Sequence, residues 1–284
     1  MRSAPRSNKI SAFTGRPMLL HIDHTTRYEF SQPIDYGLQR LRMFPSNVPG
    51  QAIVSWQVTV YGGTEEVRYT DHHENLVALY SFAAGTEGVS IRTKGQIETD
   101  NQAGIIGRHR GYAPLWYYMG ETPLTAPGAG TRGLIRALGE KGERDDIAFL
   151  HDLSALIGEK VTYQVGVTAA HFSAEDALAE GAGVCQDHAH IFITTARAMG
   201  YPARYISGYL LMDGQVEQDA THAWAEAHVP ALGWVGFDVS NKISPDERYV
   251  RIAAGLDFKD AAPTTGLTYG AGEEKIAVAL RVEQ

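Results

Sequence analysis

One cysteine, Cys185, stands in 284 residues. No internal disulfide can form, so the fold must rest on its apolar core, and the expected compartment is the cytoplasm. No run of 18 or more apolar residues occurs, so no membrane-spanning helix is expected. Residues 1–17 carry Arg2, Arg6, Lys9 and Arg16 but no apolar stretch of the kind a secretory signal needs. They read as a disordered extension or as the product of an upstream start codon. Positive charge is in deficit: 25 Lys and Arg face 33 Asp and Glu, for a formal net charge of -8. That balance argues against nucleic acid or an anionic membrane as a partner. There is no internal repeat, no phosphate-binding glycine loop and no dinucleotide fingerprint. What is present is an ordinary apolar share of 44%, enough to fill the core of one large domain or two ordinary ones.

The first part of the chain reads as β. Leu20, Ile22, His24, Thr26, Tyr28 and Phe30 alternate along one face, as do Val54, Trp56, Val58 and Val60 before a Gly62-Gly63 turn. Val89, Ile91, Thr93 and Ile97 partly repeat the pattern. Period-two alternation broken by turns predicts half-buried antiparallel strands, here a β-sandwich-like domain over 18–119. Residues 120–131 are rich in Pro and Gly and read as a linker. Over 132–284 helices appear. Ile147, Leu150, Leu153 and Ile157 predict a helix ending near Gly158, and Ser173 with Asp176 predicts a capped short helix. Ala189, Phe192, Ile193, Ala196 and Met199 predict a core helix that begins near Cys185 and stops at Gly200 and Pro202. Strands are expected over 203–211, 222–229 and 234–239. The whole reads as an α+β protein.

The chemistry lies in this second part. Cys185 follows the glycine turn Gly181-Ala182-Gly183, His222 lies in Thr221-His222-Ala223-Trp224, and Asp238 ends Gly233-Trp234-Val235-Gly236-Phe237-Asp238. A thiol is mostly protonated at neutral pH and needs a base or a positive environment to act as a nucleophile. A helix N-terminus supplies partial positive charge, an imidazole can hold the proton, and a carboxylate can orient the imidazole. The alternative for Cys185 is a small buried hydrophobe. Asp187 reads as a helix cap, and Asp219 is the next candidate acid after Asp238. Cys185, His188 and His190 could be read as metal ligands, but His188 and His190 diverge on a helix. On a strand His72 and His73 would point to opposite faces and could not easily share a metal, and a turn before the strand at Leu76–Phe82 is the better reading. Metal and cofactor are both expected to be absent. Trp116, Tyr117 and Tyr118 are read as lining a cleft or as interdomain packing.

The three segments around Cys185, His222 and Asp238 resemble the transglutaminase-like superfamily of papain-type cysteine enzymes, in particular the bacterial branch with a β-rich N-terminal region. Tyr201-Pro202-Ala203-Arg204-Tyr205 through Tyr209, the segment from Arg251 to Asp260, and the start from His21 to Phe30 with Gln39-Arg40-Leu41-Arg42 are similar to that branch as well. His188 departs from an aromatic residue frequent there, and Val239 from Pro or Thr. The resemblance implies a papain-like, transglutaminase-type catalytic domain over 132–284. It makes Cys185 the nucleophile, His222 the base and Asp238 the orienting acid. The Cys185 N–H and Tyr163 would serve an oxyanion. Trp224 reads as core, or else as a residue shielding the His–Asp pair or lining the substrate side. The implied reaction is attack on an amide through a thioester, with water completing a peptidase or amidase cycle on a peptide or amide substrate. An amine acceptor would make the protein an acyl transferase instead. A non-catalytic binding module on the same fold is the third reading.

Overall fold

The computed structural model describes residues 17–218, 220–270 and 272–284. The expected extension, apart from Pro17, and the alternative acid Asp219 lie outside the described residues. The N-terminal part contributes β1 (Met18–Ile34), β2 (Tyr36–Phe44), β3 (Gln51–Tyr61), β4 (Thr64–Thr70), β5 (Leu76–Phe82), β6 (Thr86–Thr99) and β7 (Ile105–Gly107). A 3-10 turn at Leu115–Met119 leads to α1 (Ala129–Leu138) and α2 (Asp146–Lys160). Then come β8 (Thr162–Tyr163), α3 (Ala174–Glu180), β9 (Ala182–Gly183) and α4 (Cys185–Ala198). The strands β10 (Ala203–Leu210), β11 (Glu217–Gln218), β12 (His222–Val229), β13 (Gly233–Phe237) and β14 (Tyr249–Gly255) follow. The chain closes with α5 (Phe258–Ala261), β15 (Thr264–Tyr269) and β16 (Glu274–Glu283). No helix among the described residues is long and apolar enough to cross a membrane.

Three larger sheets carry the fold, in strand orders β11-β16-β1-β6-β3, β15-β2-β5-β4 and β14-β10-β12-β13-β7. The alternation of β1 explains how they join. Tyr28 and Phe30 pack with Leu41 and Met43 of β2 and Tyr80 and Phe82 of β5. Leu20 and Ile22, earlier on the same face, pack instead with Tyr209 of β10 and with Val250 and Ile252 of β14. One 17-residue strand therefore bridges two cores. Each fully buried Leu or Ile here contributes about 1.5–3 kcal/mol. A third core lies between α4 and the sheet behind it, where Phe192 and Ile193 meet Ala223, Ala225 and Ala227 of β12. The small alanines let the helix sit close to the strand that carries His222.

The sheet pairing crosses the division expected at residues 119 and 132. β15 pairs with β2 and β16 with β1, so the C-terminal strands complete the N-terminal sheets. In the other direction, β7 pairs with β13. The stretch 120–131 is not a free linker either. Leu124 and Thr125 are buried, and α1 already begins at Ala129. The cause is Glu175, whose carboxylate accepts the N–H groups of Gly128, Gly130 and Thr131 at 2.8–2.9 Å. An acid placed on the unpaired donors of a helix start is favourable, and it fixes the Pro- and Gly-rich segment from a distance.

His72 and His73 lie in the turn before β5, as expected, but the turn does not keep their side chains apart. Their rings stand 4.1 Å apart, centroid to centroid, on the same side. Trp116, Tyr117 and Tyr118 divide. Tyr118 is buried edge-on against Trp234, with ring centroids 5.0 Å apart, whereas Trp116 is exposed.

Candidate active site

The route into α4 places the thiol. Ser173 caps α3 with Asp176 as its reciprocal partner, and the helix ends at Gly181 in the left-handed region, with φ 72°. Glycine adopts that conformation without steric cost. The chain then runs as β9 beside β8, with the Thr162 N–H donating to Gly181 O at 2.9 Å and the Gln164 N–H to Gly183 O at 2.8 Å. A Cβ on Gly183 would meet the Asp187 carboxyl group at 2.7 Å. The bare glycine lets that carboxyl fold back over the helix start. Asp187 Oδ2 accepts the Val184 N–H at 2.8 Å and the Thr168 hydroxyl at 2.7 Å. Cys185 is the first residue of α4 and half-buried, so its N–H belongs to the unpaired donors of the helix start.

The antiparallel pairing of β12 with β13 brings the start of one strand to the end of the other. His222 opens β12, and Asp238 follows β13. His222 Nε2 lies 2.6 Å from Asp238 Oδ2, with both side chains buried. That contact leaves Nδ1 as the ring nitrogen free to meet the thiol. Burial disfavours the imidazolium, but the Asp238 carboxylate and the neighbouring Cys185 sulfur outweigh it and push His222 up to about 10. Asp238 moves the opposite way. Burial opposes its ionisation, yet His222, Asn241 and Tyr249 together hold it below the usual carboxylate range.

Two of those partners were not singled out from the sequence. Asn241 Nδ2 donates to Asp238 Oδ2 at 2.7 Å, and the Asn241 N–H donates to Oδ1 at 3.2 Å. The Tyr249 hydroxyl donates to Oδ2 at 2.8 Å. The first had a local signal, since an Asp accepting from the backbone three residues on marks a turn. Tyr249 arrives on β14 through its pairing with β10, which nothing near Asp238 announces.

Tyr163 sits on β8 at the mouth of the cluster and is 51% exposed. Burial of its hydroxyl, with negative charge at Cys185 and Asp238, raises its pKa. Trp224 follows the core reading rather than the substrate-side one. It is 3% exposed, lies nearly parallel to His222 with ring centroids 6.2 Å apart, and meets Tyr249 edge-on at 5.4 Å. Its ring forms the wall behind the His222–Asp238 pair. Gly208 accommodates it, because a Cβ there would meet the Trp224 ring at 2.6 Å.

The metal reading of Cys185, His188 and His190 does not assemble. His188 Nε2 donates to Val161 O at 2.9 Å and Nδ1 accepts from Ser240 Oγ at 2.8 Å, so both nitrogens are engaged away from the thiol. Burial lowers its affinity for a second proton. His190 Nε2 accepts the Phe258 N–H at 3.1 Å, on the α5 side of the helix. Burial, aided by the charge of Arg197, brings its pKa down to about 3.

Comparisons with known proteins agree with this arrangement at the level of family and fold. Residues 136–239 match the transglutaminase-like superfamily, and residues 20–98 match the bacterial transglutaminase-like N-terminal region. An uncharacterised protein of Mycobacterium leprae is 26% identical over 93% of this chain and 98% of its own length. A second, from Mycobacterium bovis, is 34% identical, but the match spans 47% of this chain and 46% of that one. The crystal structure of a candidate cysteine protease from Cytophaga hutchinsonii superposes with a TM-score of 0.74 at 20% identity, covering 95% of this chain and 91% of that chain. The β-rich fold is thus the transglutaminase-like one. With the superfamily core behind the N-terminal region of its bacterial members, the chain belongs to the transglutaminase-like superfamily.

Proposed function

We propose that the protein is a cysteine-dependent amide hydrolase, a peptidase or amidase working through a thioester, on an α+β fold whose catalytic part is papain-like. The observation that carries this reading is the contact of His222 Nε2 with a buried, triply hydrogen-bonded Asp238 beside a helix-start cysteine. In this reading Cys185 Sγ attacks the amide carbonyl carbon. Its proton passes to His222 Nδ1, and the raised proton affinity of the imidazole favours that transfer. The N–H of Cys185 faces the developing oxyanion, with Tyr163 at the mouth as second donor. His222 then delivers the proton to the departing amine as the C–N bond breaks. Water, deprotonated by His222, attacks the thioester carbonyl, and the thiol is regenerated with release of the acid. Asp238 holds the imidazole orientation throughout, and Asn241 and Tyr249 hold Asp238.

The fold likeness to a candidate cysteine protease supports the hydrolytic choice over acyl transfer. Both outcomes share the thioester and differ in whether water or an amine reaches it first. The test is incubation with a peptide and isopeptide library, with and without millimolar primary amine, followed by mass. Free acid as the main product even with amine present is the expected result. An amine adduct that dominates and accelerates release of the leaving group would make the protein a transferase. No conversion under any condition, with an unreactive thiol toward iodoacetamide, would favour a binding module.

A further inference from the structure

The turn between β4 and β5 is held unusually firmly. Asp71 Oδ1 accepts the N–H groups of His73 and Asn75, each at 2.9 Å, and Glu74 takes a positive φ of 67°. The Asn75 side chain donates to Ala254 O at 2.7 Å and accepts the Ala254 N–H at 2.8 Å, which fixes the turn to β14. This geometry removes the strand alternation that would have separated the histidines. His73 has no exposed side-chain surface, and its Nε2 lies 2.5 Å from Asp260 Oδ2 on α5. Its Nδ1 faces the Tyr118 hydroxyl at 3.3 Å. His72 is exposed, with Nε2 2.9 Å from the Tyr117 hydroxyl. The donor atoms of His72, His73 and Asp260 all lie within 4.8 Å of one another.

We propose that His72, His73 and Asp260 bind a divalent transition-metal ion of the zinc class, at a site separate from Cys185, His222 and Asp238. Two imidazoles and a carboxylate form a donor set that suits this class. Tetrahedral bonds of about 2.0–2.1 Å put donors about 3.3 Å apart, so the three groups need only a small adjustment. The ion takes the place of the proton between His73 and Asp260, which leaves to solvent. Tyr118 is placed to accept from Nδ1–H of His73 and so to fix the tautomer that turns Nε2 to the ion. Arg42 Nη2, 4.0 Å from Asp260 Oδ1, competes for the same carboxylate and weakens the hold on the ion. The exposed His72 leaves the ion open to solvent, and water completes its shell. The ligands span 188 positions of sequence, from 72 to 260, so the ion would tie the β4–β5 turn to α5.

The test uses the full chain as Cys185→Ala, so that no thiolate can join His222 in holding the ion, after treatment with a chelator. Zinc is titrated calorimetrically, and cobalt(II) absorption reports the coordination geometry. The same chain with His72→Ala, and separately with Asp260→Asn, provides the comparison. His72 is exposed, and melting without metal checks that each variant folds. The expected result is one equivalent of zinc, tetrahedral-type cobalt bands, and a zinc-dependent rise in Tm. Each of the two variants should weaken binding at least tenfold and lose the rise in Tm. Absence of saturable binding at one equivalent, or equal affinity in the His72→Ala chain, would overturn the site and leave a hydrogen-bonded clamp.

Discussion

His190 and His222 are both buried, one inside α4 and the other at the start of β12, and they treat a proton in opposite ways. Around His190 the helix offers aromatic and aliphatic neighbours and the charge of Arg197, and its pKa falls to about 3. Around His222 burial acts in the same direction, but a carboxylate stands 2.6 Å away and the pKa rises to about 10. The comparison separates burial from partnership. Burial beside a cation strips a histidine of its proton, and a fixed anion reverses the outcome. The site region thus spends a dense polar network on one imidazole, whereas the interior of α4 keeps its histidine neutral and structural.

The comparison is broken most severely by removing the group that the His222 network serves. Cys185→Ala should abolish turnover, a loss on the order of 10³-fold or more, with the circular dichroism melt preserved. Next is Asp238→Asn, which keeps shape but removes the anion. Activity should fall by roughly 10²–10⁴-fold, and the His222 ring should titrate well below its wild-type midpoint by NMR. Wild-type turnover in that variant would move the orienting role to another acid, with Asp219 the next to substitute. Tyr249→Phe removes one of the hydrogen bonds that steady Asp238. A loss of about 1 kcal/mol corresponds to roughly a fivefold drop in kcat, with KM little changed.

The smallest effect concerns stability against pH. His222 holds its proton more tightly in the folded chain, about 10 against an ordinary 6.5, so its contribution is complete below about pH 6.5 and is lost as pH rises through about 10. His190 is the reverse. The unfolded chain takes up the proton first, so stability declines as pH falls from about 6.5 towards about 3. His190→Asn, whose amide oxygen can accept the Phe258 N–H, should flatten the acid limb of Tm against pH and leave the alkaline limb unchanged. An unaltered acid limb would place the acid sensitivity elsewhere.

Local periodicity made much of this molecule legible. The alternation of Leu20 to Phe30 is β1, the spacing of Ile147 to Ile157 is α2, and Ser173 with Asp176 caps α3 as expected. The helix after Cys185 stops at Ala198, one residue before Met199 and two before Gly200. Residue chemistry alone drew attention to Cys185, His222 and Asp238. What stayed hidden depends on distant partners. The return of β15 and β16 to the N-terminal sheets is a pairing across more than two hundred residues, for which a single sequence holds no register signal. Glu175 reaches back to cap α1, and Tyr249 reaches Asp238 from another strand. The turn at His72 and His73 was legible, but the facing of their rings depends on Asp71 and Asn75 tightening it, for which the sequence holds no signal.

The proposed chemistry turns on a thioester formed at Cys185 with the proton handled by His222. The most direct measurement is intact-mass spectrometry of the protein quenched in acid during turnover of a library peptide, with proteolytic mapping of any adduct. An added mass equal to the acyl portion is expected on the peptide containing Cys185, matched by released amine and absent in Cys185→Ala. Product formed at the wild-type rate without an adduct in the wild type and undiminished in Cys185→Ala would contradict it.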